Sequence, residues 1–153
     1  MTINIKRFAH NAPVPTRATE GAAGYDLPIC ATMQLYSNVI VGLDGRILAT
    51  NTEGCILIPL GWGIEIPPGY YGRLVPRSSK NHWLLSGEID SDFRGQMFAK
   101  TTTALLSTHK PKFETFDRLM QLIIQKHETP ELVVVDELTQ TARGEGGHGS
   151  TGR

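Results

Sequence analysis

The sequence predicts an all-β domain of the sandwich or jelly-roll kind, on three observations. Short apolar stretches of strand length alternate with turns rich in Gly and Pro along the chain. No long stretch repeats its apolar residues at the 3.6-residue period of a helix. The strand-like stretches have no helices interleaved, which speaks against a parallel α/β sheet.

The elements follow in order. Ile3, Ile5 and Phe8 mark an opening strand. Cys55–Pro59 and Gly61–Pro67 read as strands, with Ile64 and Ile66 alternating about Glu65. Pro67-Pro68-Gly69 is a turn, because proline fixes φ and glycine accepts positive φ. Tyr70–Val75 returns as a strand, and Lys80–Leu85 reads as a short helix. Gly87–Gly95 suggests a β-hairpin with Ser91-Asp92 near its tip. Arg118–Gln125 and Glu131–Leu138 read as strands on either side of Pro130. The last eleven residues differ in kind, with glycine at 144, 146, 147, 149 and 152. Ordering so much glycine is entropically expensive, so residues 1–142 are expected to form the domain and 143–153 a mobile arm.

A chain of 153 residues is the size of one ordinary domain. Fifteen basic and fifteen acidic residues cancel, so the whole-protein field favours neither general nucleic-acid binding nor a membrane surface. An anionic ligand must then be held by local groups. The longest apolar run falls far short of the ~18 residues of a membrane span. The first ten residues lack the hydrophobic stretch of a secretory signal. Cys30 and Cys55 are too few for a disulfide framework and match no zinc spacing, so they are expected to be reduced and structural. The expected location is a reducing one, cytoplasmic or nuclear.

Five segments carry chemistry-bearing residues. Ala22-Ala23-Gly24-Tyr25-Asp26-Leu27 brings one acidic residue into a strand. Pro76-Arg77-Ser78-Ser79-Lys80 offers two cations and two hydroxyls, a plausible phosphate cradle that could equally be an ordinary loop. Gly87-Glu88-Ile89-Asp90-Ser91-Asp92-Phe93-Arg94-Gly95 holds three carboxylates, of which one at a hairpin mouth could orient and deprotonate a water. Phe116–Ile123 sets Gln121 inside an apolar strand, where a buried amide needs a partner. The tail places Arg143, Ser150, Thr151 and Arg153 among glycines, which let backbone N–H groups approach an anion closely.

Taken together and in order, these segments resemble the five motifs of the trimeric dUTPase family. The third and fifth motifs are the specific ones: Ile-Asp-Ser-Asp-Phe-Arg-Gly at 89–95, and Arg-Gly-Glu-Gly-Gly-His-Gly-Ser-Thr-Gly at 143–152. The resemblance implies a jelly roll whose three subunits build shared sites that hydrolyse dUTP to dUMP and pyrophosphate with Mg2+. It implies that Asp90 activates the attacking water and that Phe93 packs on the deoxyribose. The backbone around Gly87, Ile89 and Phe93 would read uracil. Arg77, Ser78, Ser79 and Gln121 would hold phosphates, and Asp26 with Gln121 would position magnesium through its waters. Arg143, Ser150 and Thr151 would reach the γ-phosphate, with His148 and Gly149 closing over the base.

The chain departs from the family's pattern in ways that suggest a divergent branch. Ser79 stands where glycine is usual, and the stretch from Arg77 to Asp90 is short. Phe93 replaces tyrosine, Phe116 replaces glycine, and His148 replaces phenylalanine. His148 could add affinity for an anion below about pH 6.5. Two other readings compete. A dCTP deaminase needs a glutamate on the strand after the third motif, and Gln96–Lys100 offers none. A non-catalytic signalling or interaction module on the same scaffold should have lost Asp90, Arg143 or the glycine tail, and all are present.

Overall fold

The computed structural model describes residues 1–34, 39–52, 54–77 and 81–145. Ten strands and one short helix make up the described secondary structure. The strands are β1 (Asn4–Arg7), β2 (Tyr25–Pro28), β3 (Ala31–Gln34), β4 (Val39–Gly42), β5 (Cys55–Pro59), β6 (Trp62–Glu65), β7 (Tyr70–Pro76), β8 (Gly87–Ile89), β9 (Phe98–Thr102) and β10 (Arg118–Lys126). A four-stranded sheet runs β2-β10-β7-β8, and three two-stranded ladders pair β1 with β6, β3 with β4 and β5 with β9. All pairings are antiparallel, and among the described residues the ladders close no barrel. The domain is the sandwich the sequence predicts.

Strand periodicity builds the core. In β5, Ile56 and Ile58 point inward while Cys55, Leu57 and Pro59 are half-exposed. In β7, Gly72 and Leu74 are buried between partly exposed neighbours. Gly72 has a packing reason to be glycine, since a Cβ there would lie 2.8 Å from Leu122 and 2.9 Å from Ile66. Leu27, Ile29, Leu60 and Met120 complete the centre of the core. Burial raises the Cys30 thiol to about 11 and so keeps it protonated.

Two expectations are corrected and a third holds only in part. Of the described part of Lys80–Leu85, Asn81 alone is helical, in a 3-10 conformation, and the chain then turns. Asn81–Leu84 is a turn in which Leu84 N–H donates to Asn81 O at 2.9 Å. It is anchored from below, because Trp83 stacks on Phe113 (5.1 Å between centroids, 12° between planes) and accepts a 2.5 Å hydrogen bond from Thr101 Oγ1 at its carbonyl. Gly87–Gly95 is not a hydrogen-bonded hairpin: β8 pairs with β7, whereas β9 pairs with β5, so the turn between them crosses from one sheet to another. Glu131–Leu138 is no strand in this chain. Leu132 is 91% exposed and Val134 is 99% exposed, and a strand forms only where a neighbour satisfies its backbone.

The sequence reading also missed several elements. Strands β3 and β4 were not expected, nor was the helix α1 (Thr103–His109). Its seven residues are too few to display a 3.6-residue period, and only Leu106 among them is buried. It is fixed by its ends. Thr102 Oγ1 accepts from Leu105 N–H at 3.2 Å, and Lys110, at φ 44°, donates its N–H to Leu106 O at 2.8 Å. Phe116 has φ 72°, which accounts for the glycine common at that position in the resembled family. An aromatic residue held there carries about 1–3 kcal/mol of strain. Its N–H to Ile29 O (2.7 Å) and its packing against the core hold it in place.

Thr101 is fully buried, and its hydroxyl holds the Trp83 turn. Replacing it by the isosteric valine (Thr101→Val) leaves the Trp83 carbonyl without that donor. Urea unfolding should show a loss of about 1–3 kcal/mol; an unchanged midpoint would mean that packing of Trp83 alone secures the turn.

Candidate active site

Strand β10 brings the first group of site residues together. Its antiparallel register sets Gln121 opposite Asp26 on one side and opposite Val75 on the other. Asp26 is only 5% exposed. A buried carboxylate needs a partner, and Arg77 supplies it, with Nε 3.0 Å from Asp26 Oδ1. Arg77 is fastened in turn. Its backbone N–H donates to Leu119 O at 2.7 Å, and its Nη1 donates to Arg118 O at 3.3 Å. A guanidinium has five N–H donors, and these contacts use only part of its fork. The Asp26–Arg77 pair thus fixes a cation at the C-terminal end of β7 without neutralising its capacity to bind an anion.

Two further residues shape this group and were not among the expected site residues. Gly24 lies directly beneath the Gln121 side chain, and a Cβ at Gly24 would land on the Gln121 amide oxygen and sit 3.1 Å from its Cβ. Asn81 Nδ2 donates to Arg77 O at 2.5 Å and reaches Leu119 O at 3.5 Å, tying the chain after Arg77 to the start of β10. The polar residue itself was the available signal for Asn81; which carbonyl it meets depends on the tertiary path.

A second group forms around the turn after β8. Phe93 N–H donates to Asp90 O at 3.2 Å, closing the turn that presents Asp90. Arg94 spans the same turn, donating from Nη1 to Ser91 O at 2.6 Å and to Phe93 O at 2.9 Å. Phe93 lies over Gly95, where an added Cβ would meet its ring at 2.6 Å. Asp90 and Phe93 line a cavity of about 220 Å3, and Gly87 and Ile89 line a neighbouring one of about 260 Å3. Asp26, Arg77 and Gln121 line neither cavity. Within one chain, then, the structure gathers the expected residues into two groups rather than one. Arg143 is exposed, in a turn where Gly144 N–H donates to Thr141 O at 3.0 Å. Ser78, Ser79, His148, Gly149, Ser150 and Thr151 lie outside the described residues.

Among the described residues no three His, Cys, Asp or Glu side chains gather closely enough to hold a metal ion directly. The oxygens of Asp26 and Gln121 suit a hard cation that keeps most of its water shell. A larger hollow of about 360 Å3 is walled mainly by apolar side chains, Ile3, Ile5, Ile64 and Ile124 among them, with Arg17 and Tyr25 also on its wall. No helix among the described residues is long and apolar enough to cross a membrane.

The Gly24 contact is testable by Gly24→Ala, which must displace Gln121. A loss of about 1–3 kcal/mol in thermal or urea unfolding is expected. Gly21→Ala is the control, because nothing lies within 4 Å of a Cβ there. Equal behaviour of the two variants would show that Gln121 is not held by this contact.

Comparison with known proteins places this geometry. The family model for dUTPase matches residues 10–152. A deoxyuridine 5'-triphosphate nucleotidohydrolase of Paramecium bursaria Chlorella virus 1 is 38% identical over 97% of this chain and 96% of its own. That of Solanum lycopersicum is 37% identical over 97% of this chain and 80% of its own. A mutant dUTPase of Staphylococcus bacteriophage 80alpha, solved with dUpNHpp, shares the fold with a TM-score of 0.74 at 23% identity, covering 99% of both chains. A mutant dUTPase from phage phi11 of S. aureus, whose structure describes the coordination of a structural Mg(II) ion, matches with a TM-score of 0.65 at 22% identity over 90% of this chain and 98% of its own. With the third motif forming a cavity and the first, second and fourth meeting on one sheet, the chain belongs to the dUTPase family.

Proposed function

We propose that the chain hydrolyses dUTP to dUMP and pyrophosphate by in-line attack of water on the α-phosphorus, with Asp90 as general base. The observation that carries this reading is the exposed Asp90 carboxylate on the wall of a cavity that Phe93 also lines. A carboxylate there can accept a proton from water while the ring packs on a sugar that lacks a 2′-hydroxyl. The backbone of Gly87 and Ile89 flanks the place of the base. Arg77 and Gln121, with Ser78 and Ser79, hold phosphate oxygens; Arg143, Ser150 and Thr151 complete the charge stabilisation, and His148 and Gly149 close over the nucleotide. Asp26 and Gln121 would hold Mg2+ through its waters, and the bound ion would supply charge neutralisation on the triphosphate.

The separation of the two groups within one chain supports a site shared between subunits, in a homotrimer. So does Leu132–Val135, four consecutive exposed apolar residues with no neighbour of their own to cover them. The hollow beside β1 offers an apolar wall, formed by Ile3, Ile5, Ile64 and Ile124, against which such residues could pack. Residues 143–153 act as an arm that orders over bound nucleotide and opens to release product.

Two measurements test this reading. Asp90→Asn should lower kcat for dUTP about 10²–10⁴-fold with nucleotide binding retained, and a near-normal rate would remove Asp90 as the base. The chain ending at residue 142 should keep the mass of a trimer by light scattering yet lose most of its turnover. A full-length chain with the mass of a monomer would sink the shared site, and full turnover after truncation would sink the arm.

A further inference from the structure

The two cavities beside β8 share four wall residues, Glu88, Ile89, Phe98 and Lys100. They meet where the edge strand β8 of the four-stranded sheet lies beside β9 of the β5–β9 ladder, with a gap between the two strands. Among the described residues β8 is bonded along its length only to β7, and β9 only to β5. A single bridge closes one end of the gap, where Leu85 N–H donates to Lys100 O at 2.9 Å. The alternation of β9 buries Ala99 and Thr101 and turns Phe98 and Lys100 to the other face. Leu57, the cross-strand neighbour of Lys100, lines the first cavity with it. Among the described residues the Lys100 ammonium enters no ion pair.

We propose that Lys100 is a specificity-determining residue whose ammonium donates to the 4-keto oxygen of a uracil base lodged in this gap. The proposal rests on the dUTP reading above. An ammonium has three donors and no acceptor. Uracil presents an oxygen at C4, which accepts. Cytosine presents an amino group there, which also donates, so the two donors would oppose each other and leave the amine unsatisfied. Lys100 therefore separates keto from amino pyrimidines by chemistry rather than size, and it does so from the same cavity wall that carries Asp90.

The test compares pyrophosphate release from dUTP and dCTP by the full chain, by Lys100→Met and by Lys100→Arg. Lys100→Met keeps the aliphatic stem and removes the donor. It should lower kcat/KM for dUTP about tenfold while leaving dCTP unchanged or raised, which narrows the ratio between the two. Lys100→Arg should restore most of that ratio. An unchanged ratio overturns the proposal, whether neither rate moves or both fall together; the second result would assign Lys100 to general attraction of the triphosphate. If the methionine variant fails to fold, Lys100→Ala carries the same comparison. A wild-type chain that shows no preference for dUTP withdraws the dUTP reading itself, and this proposal with it.

Discussion

Strand β10 is hydrogen-bonded along both edges, to β2 on one side and β7 on the other, and the register of those two ladders decides where Asp26, Arg77 and Gln121 sit. A slip of one residue would send Gln121 to the opposite face and separate it from Asp26. The ladder with β2 contains a shift between Arg118 and Met120. At that irregularity the carbonyls of Arg118 and Leu119 become partners of Arg77. The cation is thus placed by the backbone of one strand and the carboxylate of another, and its position follows from the sheet rather than from a flexible loop. A buried carboxylate without Arg77 would be costly, so the pair constrains both partners.

The group around Asp90 and Phe93 is governed by a different constraint. The turn after β8 leads from the four-stranded sheet to the β5–β9 ladder, so the chain leaves a gap instead of closing a hairpin. Local contacts keep that turn rigid: Arg94 caps two carbonyls, Phe93 bonds back to Asp90, and Gly95 gives the ring room. The result is a carboxylate presented on a hydrogen-bonded turn beside a cavity. Before β8, Trp83 is buried against Phe113 and Asn81 fastens the chain to β10.

The sequence by itself determined the fold class, because alternation in β5 and β7 and the Pro67-Pro68-Gly69 turn express purely local preferences. It also supplied the candidate site residues, since Asp26, Arg77, Asp90, Phe93 and Gln121 all stand in segments that resemble the family's motifs. Even the odd placement of Phe116 was legible, as a residue occupying a glycine position, and its positive φ supplies the reason. Tertiary structure alone decided the rest. Helix α1 owes its existence to the Thr102 cap and the Lys110 stop, and Glu131–Leu138 lacks the neighbour that would make it a strand. Which sheet β8 and β9 join depends on partners distant in the sequence, because ladder hydrogen bonds and burial reward pairing between segments far apart. The division of the candidate site residues into two groups, and the turning of Lys100 toward the gap between β8 and β9, follow from those long-range pairings and from no local pattern.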